Sequence, residues 1–570
     1  MAPNATRQCP NIHPESLGIM RSRTAKVTDA MNRRAATDWR RVFALDLRAL
    51  ALFRIGIGVL LLLTLATLWP EIPAFYTDEG ILPRWARGEL NSEESFPSLC
   101  WQISPYMWAG NTQAVQGIFV VQGLVALLLA AGWNSRWMAF ASWLLLVGLQ
   151  ARNPQIMQAG DEILRNMLFF SMFLPLGARY SLDARRGTRP GLRPDLPALD
   201  RSVADFSIAE LPVSILNLGS AAFILQLLCV YFFTGLLKSD PVWRTQLSAV
   251  HYSMHVDHFT TALGYRLASI PELTKLVTLV TMVLEHAGPV LLLLPGVGWR
   301  IRLMLVLAFM GFHVGIGLCM SLGLFPLTCI ICWLALVPTP AIDACIRWGN
   351  ARDCSMARVA ASGHERVAVE IPQYAEEMRL TLASQILLSM ILAYMFLING
   401  IRLNGLGVYA NLGDGPIRTI GEAAQVNQYW SMFAARPPIF GGWYDMRATL
   451  SDGREVNLWN PDQPVQESRP VLVSAMYPSS RWRKTCVVLY ERHSPTHRAC
   501  LGEYLVRRYE RLHPQAHVVD ACIILRAAVS PSPDQGAKPT RETIIPVVLW
   551  QRSREIDDPR EQLAVLVRMD

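Results

Sequence analysis

Ionisable side chains stand inside several of the most apolar segments of this sequence. Lys238 follows the run "VYFFTGLL", Glu285 and His286 lie within "TMVLEHAGPVLLLLP", His313 lies within "MGFHVGIGLCMSLGLFP", and Asp161 opens another apolar run. Charged groups at membrane depth are costly, so they usually face the protein interior and take part in function. These residues are therefore the first candidates for a functional site.

Lys238 has the surroundings that a general base needs. An ammonium group loses its hydration in an apolar pocket, so burial among Phe232, Phe233, Leu236 and Leu237 favours the neutral amine. A neutral amine can accept a proton from a substrate. The alternative is that Lys238 ends a membrane span and extends its ammonium group to the interfacial water. The residues alone leave both interpretations open.

The other ionisable residues also have structural interpretations. Glu285 has no basic neighbour in its segment, so we expect a partner from another helix or a bound proton. Arg54 lies near enough to the end of its apolar run to reach water. Arg165 follows Asp161 and Glu162 by about one helical turn and could pair with either. His313 could be a hydrogen-bonded core histidine.

Three histidines in the segment after "KSDPVW" raise the question of a metal site. His251 and His255 are four residues apart, which on a helix suits two metal ligands. No HExxH motif is present and His258 would point elsewhere, so we expect no metal. We interpret the segment as an amphipathic helix lying on the outer membrane face.

The spacing of the cysteines does not indicate a particular set of disulfides. Cys329 and Cys332 form a CxxC within an apolar segment, which we interpret as packing rather than metal or redox chemistry. Disulfides are open among the cysteines expected outside the cell, which are Cys100, Cys486, Cys500 and Cys522.

The amino-acid composition indicates that these ionisable residues belong to membrane-spanning segments. The chain has 570 residues, of which 52% are hydrophobic and 17% charged, whereas soluble proteins carry about 25% charged residues. The apolar residues form blocks close to the roughly 20 residues that cross a bilayer. The net charge of +8 comes mostly from arginines near the ends of these blocks, which indicates membrane topology rather than nucleic-acid binding.

The apolar blocks predict about nine transmembrane helices. The predicted spans are 49–68, 115–131, 138–150, 163–176, 211–237, 276–295, 303–320, 324–337 and 380–398. Arginine-rich loops alternate with an acidic one, so the N-terminus is expected in the cytoplasm of the cell and the C-terminus outside. The third and eighth spans are short. If either of them does not cross the membrane, the C-terminus lies on the opposite side.

The predicted fold class is an all-α polytopic membrane domain followed by a C-terminal mixed α/β extracytoplasmic domain. Residues 1–44 are expected to form a disordered cytoplasmic tail, 45–400 the transmembrane domain and 401–570 the extracytoplasmic domain. In the last of these, "REVNLWN" and "ETIIPVVLW" alternate as strands do. "CLGEYLVRRYERLHPQ" predicts an amphipathic helix that ends near Pro514.

Segments between about residues 45 and 340 resemble the vitamin K-dependent gamma-carboxylase family. They are most similar to its bacterial relatives with an HTTM (horizontally transferred transmembrane) domain. The segments are "RIGIGVLLLL", "FYTDEGILPRW", "RNPQIMQAGDEILRNMLFFSMFLPLGARYSLDA", "YFFTGLLKSDPVW" and "FHVGIGLCMSLGLFPLTCIICWLALVP". Each is short, but their order is that of the family.

The resemblance implies a base-driven reaction. The residues that match the family's lysine motif are Tyr231, Phe232, Gly235, Lys238, Asp240 and Trp243. The family's catalytic base falls on Lys238, and a family histidine falls on His313. The resemblance implies that Lys238 deprotonates reduced vitamin K or another quinol. Oxygen then generates a strong base that removes a γ-proton from glutamate, and carbon dioxide adds. Pocket candidates are Tyr231, Gly235, Trp243, Glu285, His286 and Asp161.

The partners implied are membrane lipid, a quinone and an extracytoplasmic peptide or protein substrate, with no nucleic acid. Two departures from the family matter. Pro154, beside Asn153, stands where the carboxylases carry a functional histidine, and the C-terminal portion is shorter than their substrate-binding region.

These departures leave alternatives open. One is a non-enzymatic membrane protein, such as a toxin-maturation or immunity partner or a transporter-like carrier. Another is a transporter in which Glu285 and His313 relay protons, although no repeat is visible in the sequence.

Overall fold

A computed structural model describes residues 39–93, 104–187, 213–353, 380–403 and 419–552, with short gaps at 40, 420, 423, 429, 466, 493–494, 531 and 534–539. Nearly all of the predicted tail at 1–44 lies outside the described residues. So do Cys100, most of the arginine-rich loop near residue 190 and the start of the predicted domain at 401–570.

Among the described residues, six helical segments are long and apolar enough to cross a membrane. The first joins helix α1, Leu47–Leu68, through a 3-10 turn to the short helix α2, Ile72–Phe75. The others are α4, Thr112–Ala131; α8, Leu218–Leu237; α12, Pro271–Leu293; α13, Trp299–Cys319; and α16, Leu382–Leu403. They coincide with the first, second, fifth, sixth, seventh and ninth predicted spans, so these helices are confirmed.

The remaining predicted spans are helical but too short or too polar to pass the same test. They correspond to α5, Ser135–Arg152; α6, Ala159–Ser171; and α14, Phe325–Leu334. Helix α14 is followed by α15, Thr339–Asp353, at a bend of 91°, and this bent pair can be counted as a seventh candidate. The described residues thus contain six or seven candidate membrane spans, and the expected total of nine spans stays a prediction.

Side-chain caps set where the long helices begin. Asn111 Oδ1 accepts from Ala114 N at 2.8 Å at the start of α4. Asn217 and Ser220 cap each other's backbone at the start of α8, with bonds of 2.9 and 3.0 Å. Such caps satisfy N–H groups that have no partner within the helix. They fix the start of α8, and hence the depth of the residues that it carries.

Arg54 is inside the helix bundle, contrary to the alternative that it reaches water. The residue is 1% exposed. Its guanidinium donates to the carbonyls of Leu176 at 3.0 Å and Tyr180 at 2.5 Å. Arg54 therefore ties α1 to the chain that follows α6.

The C-terminal portion forms a four-stranded antiparallel sheet in the order β4-β3-β5-β6. The strands are β3, Phe440–Leu450; β4, Glu455–Asn457; β5, Val518–Val529; and β6, Thr540–Gln551. A small two-stranded sheet joins β1, Leu45–Asp46, to β2, Ser214–Ile215. Both predicted strand runs are confirmed. Pro546 interrupts the register of β6, an edge strand, where proline is tolerated.

Helices α17, Ser480–Arg492, and α18, Pro495–Leu512, belong to the same portion of the chain, and α18 packs on β5 and β6. Helix α18 is the predicted amphipathic helix, and it ends two residues before Pro514. Among the residues that the structure describes, Cys486, Cys500 and Cys522 form no disulfide. The shorter helices are α3, Arg84–Glu93; α7, Leu182–Gly187; α9, Pro241–Arg244; α10, Ala249–Ser253; and α11, Ala262–Ala268.

Candidate functional site

Helix α8 places Tyr231, Gly235 and Lys238 on one face. Seven residues are close to two helical turns, so Tyr231 and Lys238 lie about 10 Å apart along the helix axis. Lys238 is the C-terminal cap of the helix. Asp240 then caps α9, accepting from Val242 N at 3.0 Å, which turns the chain directly after the lysine. This helix face packs against α12.

The partner that Glu285 requires is Lys238. Lys238 Nζ is bonded to Glu285 Oε2, and both residues are 3% exposed. Nζ also lies 4.4 Å from the centre of the Trp243 indole ring, within the range of a cation–π contact. Trp243 is held in turn, since its Nε1 donates to the Phe433 carbonyl at 3.0 Å. Lys238 is therefore buried and paired, and it does not extend to the surface.

Gly235 lets α8 and α12 approach each other beside this pair. A Cβ on Gly235 would lie 3.0 Å from His286 Nδ1 and 3.3 Å from Glu285 Cβ. His286 Nδ1 is 2.8 Å from the Met282 carbonyl. A carbonyl oxygen can only accept, so Nδ1 carries the proton and Nε2 is the acceptor of the neutral ring. His286 thus lies beside Gly235, and its Nε2 is the ring nitrogen left to accept a hydrogen bond.

Gly235→Ala is expected to lower stability by about 1–3 kcal/mol, because the added methyl group must push the His286 ring and the Cβ of Glu285 aside. Thermal unfolding of the detergent-solubilised protein measures the change. Gly311→Ala is the matched control, since a Cβ on Gly311 meets nothing within 4 Å. Equal melting temperatures for the two variants would contradict the close approach.

Tyr231 belongs to a second polar cluster, one that also contains His313. Tyr231 Oη lies 2.7 Å from His313 Nε2 and accepts from Trp333 Nε1 at 2.8 Å. The Phe309 ring stacks on Trp333 with centroids 4.2 Å apart. His313 Nδ1 is buried and has no hydrogen-bond partner within the described part of the chain. His313 therefore lies beside Tyr231, about two turns of α8 from Lys238, rather than in contact with it.

Asp161 takes its partner from the C-terminal portion of the chain. Arg481 Nη2 donates to Asp161 Oδ1 at 2.7 Å, and a second bond joins Nη1 to Oδ2. Burial acts to lower the pKa of Arg481, but the charge and hydrogen bonds of Asp161, together with Tyr76 and Glu71, raise that pKa above its usual value. Arg165 instead donates to Gln150 Oε1 at 3.0 Å, so of its two possible partners Asp161 is not the one that it binds. Asp161 joins the sheet-bearing portion to the helices.

A cavity of about 190 Å³ lies beside this ion pair. Asp161 and Arg481 line it together with Phe325, whose ring centroid is also 5.5 Å from that of His313. The cavity therefore reaches close to the cluster of Tyr231 and His313.

The "RNPQIMQAG" loop is held by backbone contacts. Asn153 Nδ2 donates to the Phe75 carbonyl at 3.0 Å, and Asn153 Oδ1 accepts from Gln155 N at 3.2 Å. Both functional atoms of the Asn153 amide are thus engaged in fixing the chain. Pro154 itself has no group that could exchange a proton.

The histidine segment is not one amphipathic helix. Helix α10 contains His251 but ends at Ser253, and His255 and His258 lie in the turns that follow. The His251 and His255 rings still meet, with centroids 4.3 Å apart. Asp257 accepts from Tyr265 Oη at 2.7 Å and binds Arg469, which holds the chain in these turns.

His258 makes stability depend on pH. Removal from water, with the charges of Arg483 and Lys484, lowers the pKa of His258 from 6.5 to about 3. The unfolded chain therefore binds this proton at a higher pH than the folded protein does. The stability that His258 contributes is present above pH 6.5 and is lost as the pH falls toward about 3.

His258→Gln is accordingly expected to flatten the fall in melting temperature between pH 6.5 and pH 4, measured against the unsubstituted protein. His517→Gln serves as the control because His517 is exposed. If the slope of melting temperature against pH is unchanged in His258→Gln, this histidine binds its proton equally well in the folded and the unfolded protein.

Two contacts of the site have no signal in the sequence. Trp333 is one aromatic residue in an apolar run, and nothing nearby indicates its bond to Tyr231. Arg481 lies 320 residues from Asp161.

Comparisons with protein-family models, with curated proteins and with solved structures give no match for this chain. Its function must therefore be inferred from the site itself.

Proposed function

We propose that this chain is a multi-pass membrane enzyme in which the Lys238–Glu285 pair is the base of a quinol-dependent modification similar to gamma-glutamyl carboxylation. The observation that carries the proposal is the buried Lys238–Glu285 contact beneath the Trp243 indole. It lies where apolar helices α8 and α12 meet, and the resemblance to the carboxylase family falls on the same lysine.

The pair can hold and release one proton. Lys238 Nζ and Glu285 Oε2 are joined by a hydrogen bond, so a proton can pass directly from the amine to the carboxylate. The transfer leaves a neutral amine, which is the form that accepts a proton from a substrate hydroxyl. Glu285 would then serve as the proton store and Lys238 as the group that meets the substrate.

The residues around the pair fit a quinol in chemical type. A quinol has an apolar ring, which matches the indole face of Trp243 and the apolar side chains of Met282 and Phe433 that pack in the same cluster. It also has a hydroxyl group, which matches the Lys238 amine. When bound, the quinol would supply the reducing equivalents that turn oxygen into a stronger base. The helices around Lys238 keep water away from the amine, since the residue is 3% exposed.

We also propose nine membrane crossings, a cytoplasmic N-terminus and an extracytoplasmic C-terminal portion. Contacts of the C-terminal portion support this topology. Arg481 binds Asp161 at the start of α6, and Arg483 binds the Ser321 carbonyl after the end of α13. With nine spans and a cytoplasmic N-terminus, the start of α6 and the end of α13 both lie on the outer side of the membrane.

The reaction can be tested on the purified full-length protein in lipid nanodiscs. Reduced vitamin K, oxygen, labelled bicarbonate and a glutamate-rich peptide mixture are supplied. Incorporation of label and consumption of quinol, both requiring oxygen, are expected. Absence of both, beside an active gamma-carboxylase control, would contradict the proposal.

A second candidate function is non-enzymatic: a maturation or immunity partner, or a carrier. It is favoured by the closed state of the pair and by the Asn153 amide, whose atoms are engaged in backbone contacts. Under this non-enzymatic hypothesis, Lys238 and Glu285 only hold α8 against α12. The two candidates differ in what happens when both charges are removed together.

A further inference from the structure

A cavity of about 520 Å³ lies outside the candidate site, between the first two candidate spans and helix α18. It is unrelated to the Lys238–Glu285 pair and to the reaction proposed for it. The lining residues that matter for its chemistry are Thr77, Glu79, Thr112, Arg508, Arg511 and Leu512.

The position of the cavity along the helices is that of a membrane surface. The first candidate span ends at Phe75, and the next, α4, begins at Thr112. The end of one span and the start of the next lie on the same side of a bilayer. Two exposed tryptophans flank this boundary in the sequence: Trp69, 42% exposed, precedes Phe75 by six residues, and Trp108, 74% exposed, precedes Thr112 by four. Exposed tryptophans are enriched at the depth of lipid headgroups.

The cavity carries excess positive charge. Arg508 and Arg511 are three residues apart on α18 and share one face. Arg511 lies 3.4 Å from the exposed carboxylate of Glu79. Arg508 is half-buried and makes no hydrogen bond or ion pair with any residue that the structure describes. One guanidinium is thus left without a counter-charge in a cavity large enough for a headgroup.

Helix α4, which begins at the cavity, exposes apolar side chains further along its length. Helix α4 exposes Val120, Val121, Leu124 and Leu127. The first of these is eight residues beyond Thr112, or about 12 Å further along the helix axis. A molecule with an anionic head in the cavity and hydrocarbon chains along α4 would meet both features, whereas a free anion would meet only the first.

We propose that this cavity binds the phosphate group of an anionic membrane phospholipid through Arg508 and Arg511. Arginine suits this ligand because its planar donors bind two phosphate oxygens at once. The acyl chains would lie against α4. A bound lipid would thereby bridge the membrane helices and the sheet-bearing portion.

The proposal can be tested by measuring retained lipid. The full-length protein is purified in detergent with added phosphatidylglycerol or phosphatidylcholine, washed, and analysed for lipid per protein by mass spectrometry. We expect about one phosphatidylglycerol per chain to be retained, and about tenfold less for the double variant Arg508→Gln with Arg511→Gln. Arg454→Gln, which changes an exposed arginine elsewhere, should retain the lipid.

Several results would overturn the proposal. They are equal retention by the double variant at an unchanged melting temperature, equal retention of phosphatidylcholine, and no retained lipid. Release of the lipid by millimolar inorganic phosphate would assign the cavity to free anions instead. None of these outcomes depends on catalytic activity, so this test can fail independently of the proposed function.

Discussion

Replacing Lys238 alone with methionine is expected to destabilise the protein by about 3–5 kcal/mol, because it leaves the buried Glu285 carboxylate without its counter-charge. Methionine has nearly the length of lysine, so the loss comes from charge rather than from a cavity. Thermal or denaturant unfolding of the solubilised protein, followed by tryptophan fluorescence, measures the change. Glu285→Leu alone should be destabilising for the same reason.

The double variant, Lys238→Met with Glu285→Leu, is expected to recover most of this loss. Replacing a buried ion pair by apolar residues of similar volume is often neutral or stabilising. The matched control is Lys275→Ala, which breaks the exposed Lys275–Glu272 pair on the same helix α12 and should change stability by less than about 1 kcal/mol. If Lys238→Met is as stable as the double variant, the two charges are not coupled in the folded protein.

The second large effect is on the rate of reaction. The double variant is expected to fold and yet to incorporate labelled carbon dioxide about 10²–10⁴-fold more slowly, which is the usual contribution of a general base. The initial rates of label incorporation and of quinol consumption should fall together, since both follow the same proton transfer. Lys275→Ala should keep the unsubstituted rate.

The double variant also separates the two candidate functions. A folded double variant with normal biological activity would show that the Lys238–Glu285 pair is only structural, as the non-enzymatic candidate requires. A folded double variant that is inactive, beside an active Lys275→Ala, assigns the pair to the chemistry. Single variants alone cannot make this distinction, because instability could abolish either function.

The long helices could be predicted from the sequence because hydrophobic length is a local property. The same physics predicted that Glu285 needs a partner, since an isolated carboxylate among apolar helices is costly. It could not predict which residue that partner is. Lys238 lies 47 residues away, and only the packing of α8 on α12 brings the two side chains together.

Local spacing failed where contacts between distant segments decide the structure. Asp161 and Arg165 have the spacing of a helical ion pair, but such a pair contributes only about 0.2–0.5 kcal/mol. The doubly bonded contact with Arg481 is available instead. Similarly, His251, His255 and His258 have helical spacing, but the bonds of Asp257 to Tyr265 and Arg469 hold the chain in turns.

Arg54 shows the same limit in a single residue. Its position near the end of an apolar run suits an arginine that reaches water. The structure has its guanidinium buried against the backbone carbonyls of Leu176 and Tyr180. Backbone carbonyls in the turns between α6 and α7 leave no mark in the sequence that would identify them as acceptors.

A structure of the protein determined with a bound quinone would test the central claim most directly. We expect a quinone oxygen at about 2.6–3.2 Å from Lys238 Nζ, the distance that direct proton transfer requires, with the ring against Trp243. A quinone bound elsewhere while Lys238 stays closed on Glu285 would contradict the assignment of Lys238 as the base.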